Sequence, residues 1–251
     1  MHRVGLTATL TTLAVATTLA QRAPAPTTTT LAPDVIALAC APSATTTVPP
    51  RVLLVTGGQA PVERRSYAPG DLITINAGRN QGMEVGREYF TRRVLPERGH
   101  APSVARPGAV RTSGWLKVYA VDDDLSLATV SHACDTIQTG DYLEPFSAPA
   151  VPIPDPVLVK PRKTNYARIL FGADRRKSFA EGDFVVINQG TNHGVTPGAR
   201  FVVFHDRLVP DNFLYEGGEA VAMAVSADST TLRVTRAASA LLAGDYVAIR
   251  K

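Results

Sequence analysis

Gly70-Asp71-Leu72-Ile73-Thr74-Ile75-Asn76-Ala77-Gly78-Arg79-Asn80-Gln81-Gly82-Met83-Glu84-Val85-Gly86-Arg87-Glu88-Tyr89-Phe90 is followed, 112 residues later, by Gly182-Asp183-Phe184-Val185-Val186-Ile187-Asn188-Gln189-Gly190-Thr191-Asn192-His193-Gly194-Val195-Thr196-Pro197-Gly198-Ala199-Arg200-Phe201-Val202. The shift pairs Asp71 with Asp183, Asn76 with Asn188, Gly78 with Gly190 and Asn80 with Asn192. It also pairs Gly82 with Gly194 and Gly86 with Gly198. A second block repeats at a shift of 104, pairing Gly114 with Gly218, Val121 with Val225 and Gly140-Asp141-Tyr142 with Gly244-Asp245-Tyr246. The chain reads as two copies of one β-rich unit, the second with a shorter internal connection. What repeats is Gly, Asn and Asp, the residues of turns, rather than a reactive group.

Outward from the repeat, short apolar runs are broken by Gly, Asn and Pro: Leu72–Asn76, Glu88–Val94, Trp115–Val121 and Leu125–Val130 in the first copy. The second copy has Phe184–Asn188, Phe201–His205, Glu219–Ser226 and Thr230–Arg236. This spacing predicts an all-β fold of two tandem small barrel-like units. Unit 1 spans residues 51–146 and unit 2 residues 166–251, joined by a Pro-rich linker at 147–165. Ala237–Leu242 is expected to form a single helical turn. Gly78 and Gly82 are read as turn glycines that permit positive φ, with Gly190 the counterpart of Gly78, and Asn80 and Asn192 are expected in left-handed or turn positions. The four Gly-Asp pairs each precede a strand and are read as turn caps. Asp122-Asp123-Asp124 is read as a hairpin tip, since it lacks the alternating ligands of a calcium loop.

The N-terminus carries an address. His2 and Arg3 precede an uncharged, weakly apolar stretch that ends at Thr18-Leu19-Ala20. Residues 1–20 are read as a signal peptide cut after Ala20, leaving no membrane span afterwards. Residues 21–50 form a Thr/Pro-rich segment in which Val35-Ile36-Ala37-Leu38 is expected to add a strand to unit 1. The two cysteines of the chain, Cys40 and Cys134, are expected to pair in an exported protein. Lipidation of Cys40 is the alternative, because Ala37-Leu38-Ala39-Cys40 loosely matches a lipobox. A net charge of +4 does not call for nucleic acid outside the cytosol and suits anionic envelope polymers.

No catalytic residue, cofactor or metal site is read from the sequence: a Gly-x-Ser-x-Gly elbow is absent, and His193 stands where unit 1 has Gln81. Recognition is expected on the longer connection of unit 1, residues 95–113, where Arg98, Arg106 and Arg111 would meet an anionic or polar partner. Trp115, without an aromatic counterpart in unit 2, is placed at its edge as a surface residue.

Asn188, Gly190, Gly194, Val195, Gly198 and Phe201, with the closing Gly244-Asp245, resemble the C-terminal small β-barrel of the flagellar assembly protein T family. Related barrels accompany LysM-type modules in bacterial envelope proteins. The resemblance covers each unit separately and implies the barrel; it carries no binding residue over, and the other domains of that family have no match here. The expectation is a periplasmic or extracellular, non-enzymatic structural or protein-interaction module of the envelope. Its partner would be an envelope protein or a cell-wall polymer; the alternative is a peptidoglycan- or glycan-binding module. Oligomeric state is not legible.

Overall fold

The computed structural model describes residues 31–59, 64–95, 102–103, 107–156, 165–206 and 214–250. After a short helix, α1 (Pro33–Ala39), come β1 (Ser43–Thr45), β2 (Val55–Gly58), β3 (Ser66–Tyr67), β4 (Leu72–Ile75), β5 (Glu88–Leu95), β6 (Gly108–Val121), β7 (Ser126–Ala133), β8 (Ile137–Gln138) and β9 (Tyr142–Pro145). Then follow β10 (Ala167–Gly172), β11 (Ser178–Phe179), β12 (Phe184–Ile187), β13 (Arg200–Asp206), β14 (Leu214–Val225), β15 (Thr230–Ala237), β16 (Leu241–Leu242) and β17 (Tyr246–Ile249).

The C-terminal half is a closed barrel in the order β10-β12-β15-β14-β13-β17, with β17 returning to β10. The N-terminal half has the same strand order, β2-β4-β7-β6-β5-β9, with β1 added on β6. A bridge between Leu54 and Tyr142 brings its last strand back to its first. Every strand pair is antiparallel, so each wall can present one face inward. Ile73, Ile75, Leu116, Val118 and Ala128 fill the first interior; Ile187, Phe201, Leu232 and Val247 fill the second. The described residues are all-β apart from α1 and three short 3-10 turns, as the spacing of apolar runs predicts. Ala237–Leu242 is not helical: a bend leads into β16, which pairs with β11.

The repeated Asn-x-Gly-x-Asn-x-Gly loop has a definite job. Asn76 Oδ1 accepts the Leu54 N–H (2.6 Å) and Asn188 Oδ1 the Arg168 N–H (2.7 Å), so each asparagine ties the end of one strand to the first strand of its unit. A 3-10 turn follows at Arg79–Gln81 and again at Thr191–His193. Its N–H groups donate to the tip of the neighbouring hairpin: Arg79 and Asn80 to the Asp122 and Asp123 carbonyls, Thr191 and Asn192 to those of Ser226 and Ala227.

This geometry corrects the expectation for Gly78 and Gly190. Both are extended (φ −134° and −143°), and the left-handed residues are Gly82, Gly86, Gly194 and Gly198. Glycine is required at 78 and 190 by proximity, because a Cβ would lie 2.3 Å from the Asp122 carbonyl oxygen or 2.0 Å from that of Ser226. Asn80 and Asn192 take turn positions, each inside its 3-10 turn, rather than left-handed ones. Their amides bind Asp124 (3.0 Å) and Asp228 (2.9 Å) at the hairpin tips. Donation from Asn80 and Gln81 holds the Asp124 carboxyl below its ordinary range.

A second correction concerns Val35–Leu38. The segment is helical, not a strand on unit 1: Pro33 opens the helix and Asp34 sits in its first turn, both signals of a helix start. Leu38 packs on Val221 and Met223, on the outside of the second barrel. The strand added to the first sheet comes five residues later, as β1.

Candidate functional site at the barrel ends

Strand register gathers the four Gly-Asp turns at one end of each barrel. In all four, the aspartate accepts the N–H three residues before it: Asp71 from Ala68, Asp141 from Gln138, Asp183 from Ala180 and Asp245 from Leu242, at 2.6–2.9 Å. The left-handed glycine before each one closes the turn. This is the turn chemistry the sequence predicts. The structure adds a basic partner to each carboxylate. Arg64 faces Asp71 (3.5 Å), Arg176 faces Asp183 (3.0 Å) and Arg93 grips Asp141 through two nitrogens (2.6 and 2.7 Å). Asp245 has a histidine instead, His205 Nδ1 at 2.8 Å. Arg93 and His205 are equivalent positions, 112 apart.

Between the barrels lies a seam built on the N-terminal segment. Cys40, at the end of α1, forms a disulfide with Cys134, one residue past β7. The segment 33–45 thus holds both barrels. Leu38 and the Asp34–Arg233 ion pair (2.9 Å) face the second, and the Thr231 hydroxyl donates to the Pro42 carbonyl (2.7 Å). The first receives the disulfide and the β1–β6 pairing. Arg111 reinforces the seam, with one nitrogen on Asp135 (2.6 Å) in the first unit and the other on Asp174 (2.7 Å) in the second. A cavity of about 130 Å³ lies there, lined in part by the disulfide, Arg111 and Asp174.

The sequence-derived recognition set is not assembled as expected. Arg98 and Arg106 lie outside the described residues. Arg111 belongs to strand β6, not to a loop, and its guanidinium is already matched by two carboxylates. Trp115 is buried at 6 % exposure, which corrects its surface assignment. Its ring stacks on His132 (centroids 4.3 Å) and meets Phe90 and Phe146. A half-buried strand concentrates such apolar area against cross-strand neighbours, and the three partners come from two other strands and the residue just after β9.

One juxtaposition escaped the sequence reading. His132 and Cys134 alternate on β7, and the ligand atoms of His132, Cys134 and Cys40 lie within 4.8 Å of one another. The His-x-Cys spacing was the available signal, since residues i and i+2 share a strand face. With both sulfurs in a disulfide, neither is a thiolate, so the cluster is no metal site in this oxidised form.

On the linker side, the Asp155 N–H donates to the Gly198 carbonyl (2.9 Å) and Arg200 Nε to the Asp155 carbonyl (2.6 Å). Among the described residues no helix is long and apolar enough to cross a membrane. No protein-family model matches the chain, and no curated protein aligns with it significantly.

Proposed function

We propose that this is an exported bacterial envelope protein acting as a two-barrel interaction scaffold through non-enzymatic contacts. The observation that carries the reading is the Cys40–Cys134 disulfide, which belongs to an oxidising compartment and fastens the segment that holds both barrels. The signal-like residues 1–20 and the resemblance of each unit to envelope-associated barrels support it. A scaffold of this kind presents loops on walls that do not move.

Peptidoglycan binding, the alternative partner class, loses Trp115 as a stacking platform, because that ring is buried, and keeps the exposed Tyr119. The deciding experiment is export of the full chain in a bacterial host, followed by co-sedimentation with purified peptidoglycan and, separately, cross-linking to envelope proteins. The scaffold reading expects an N-terminus at Gln21, no free thiol and discrete protein cross-links without sedimentation on the polymer. A cytosolic, fully reduced chain would overturn export. Salt-resistant sedimentation with peptidoglycan alone would replace the partner class.

A further inference from the structure

At the end of the second barrel, His205 is held on one side by Asp245 and faces a serine on the other. Its Nδ1 lies 2.8 Å from Asp245 Oδ2 and its Nε2 lies 2.9 Å from Ser239 Oγ. A carboxylate only accepts, so Nδ1 carries the proton; in the neutral ring Nε2 is then a bare acceptor and the serine hydroxyl donates to it. Asp245 is itself fixed by the Leu242 N–H (2.6 Å) and is nearly buried. The ring has room because residue 217 is glycine, where a Cβ would sit 2.4 Å from Nε2. Ser239 is exposed on the bend after β15. Among the described residues, the N–H groups of Ser239 and Ala240 have no backbone acceptor.

We propose that Ser239 is an activated nucleophile for short acyl esters, with His205 as its general base and Asp245 as the group that orients the base. The arrangement meets the geometric description of such a site: nucleophile to base, base to orienter, each within hydrogen-bond reach. The first barrel argues that this is not a requirement of the fold. There the equivalent positions are Arg93 and Asp135, and Arg93 is a permanent cation that cannot take a proton.

In the proposed reaction Ser239 Oγ attacks the ester carbonyl while its proton passes to His205 Nε2. The carbon–oxygen bond to the alcohol breaks, and His205 returns the proton to the departing alkoxide. Water, deprotonated by the same nitrogen, then cleaves the acyl-serine and releases a carboxylic acid and the free hydroxyl. The N–H groups at 239 and 240, which have no backbone acceptor among the described residues, are the candidate donors to the oxyanion. This inference goes beyond the scaffold reading and does not rest on it.

The test uses the oxidised full chain, a fluorophosphonate probe and p-nitrophenyl acetate. The expected result is a single adduct on Ser239, identified by peptide mass spectrometry, and ester hydrolysis that Ser239→Ala abolishes. His205→Gln should slow labelling by about 100-fold, and the wild-type labelling rate should climb with pH to a plateau, as general-base catalysis requires. No adduct, an adduct that persists in Ser239→Ala, or wild-type labelling by a folded His205→Gln protein overturns the proposal. Should His205→Gln fail to fold, the wild-type pH profile decides: a rate that keeps rising in proportion to hydroxide shows an unassisted serine and overturns it as well.

Discussion

The same end of the two barrels is wired differently. In the first, Arg93 forms an ion pair with fully buried Asp141, its Nε donating to Oδ1, while Arg111 bridges two carboxylates and a disulfide lies alongside. In the second, the equivalent pair is His205 and Asp245, next to an exposed serine. One end is closed by a guanidinium, which only donates, and the other by an imidazole whose second nitrogen faces a serine. The same Gly-Asp turn therefore fixes where a carboxylate sits without fixing what it holds.

The largest expected effect tests the clasp. Replacing Cys40 and Cys134 with serine removes a cross-link over 94 residues, which in the chain-entropy model is worth about 4–5 kcal/mol. Urea unfolding measures it, and hydrogen exchange should show the loss at the start of β6 and the end of β7 before the walls of the second barrel. Uniform loosening of both barrels would break the contrast between their ends.

Next comes the pair itself. Arg93→Ala strands a buried carboxylate and should cost about 3–4 kcal/mol. His205→Ala leaves Asp245 its turn hydrogen bond and slight solvent access, and should cost about 1–2 kcal/mol. Equal losses in chemical denaturation would show that the two pairs are interchangeable.

An alkaline titration sharpens the contrast on the same strand end. Burial, with Glu144 adding to it, pushes the Tyr142 phenol up to about 12, against about 10 in an unfolded chain. The raised value means the stability it contributes is fully present below pH about 10. Above that the unfolded chain ionises first, and stability falls by on the order of 2–3 kcal/mol by pH about 12. Phenolate absorbance with unfolding midpoints between roughly pH 9 and 12 checks this. A Tyr142→Phe protein should lose less over that window.

The smallest effects belong to the opposite end, where the barrels agree. Gly78→Ala and Gly190→Ala should each cost about 1–3 kcal/mol, because the new Cβ displaces a hairpin carbonyl. The two values should match within experimental error. A neutral result at either site, measured by thermal unfolding, would mean that its hairpin tip moves aside freely.

Much of this fold was legible because its signals are local. The repeat, the strand runs and the Gly-Asp turns are each written within a few residues. The disulfide was legible from the cysteine number and a signal-like N-terminal stretch. The helix at Pro33–Ala39 was misread because Val35-Ile36-Ala37-Leu38 suits a strand as well as one helical face. Its partners, Val221 and Met223, stand nearly two hundred residues away in the chain. Trp115 looked exposed because its rings of contact come from Phe90, His132 and Phe146, none a sequence neighbour.

By itself the amino-acid order determined where the chain turns, which runs become walls and that the pattern is used twice, since φ limits, turn hydrogen bonds and apolar alternation act over short range. Only the tertiary structure decided what those turns face. It put a hairpin carbonyl against Gly78 and Gly190, two carboxylates on Arg111, and His205 between Asp245 and Ser239. Those contacts depend on strand order and barrel closure, which bring together residues tens of positions apart at distances no local pattern encodes.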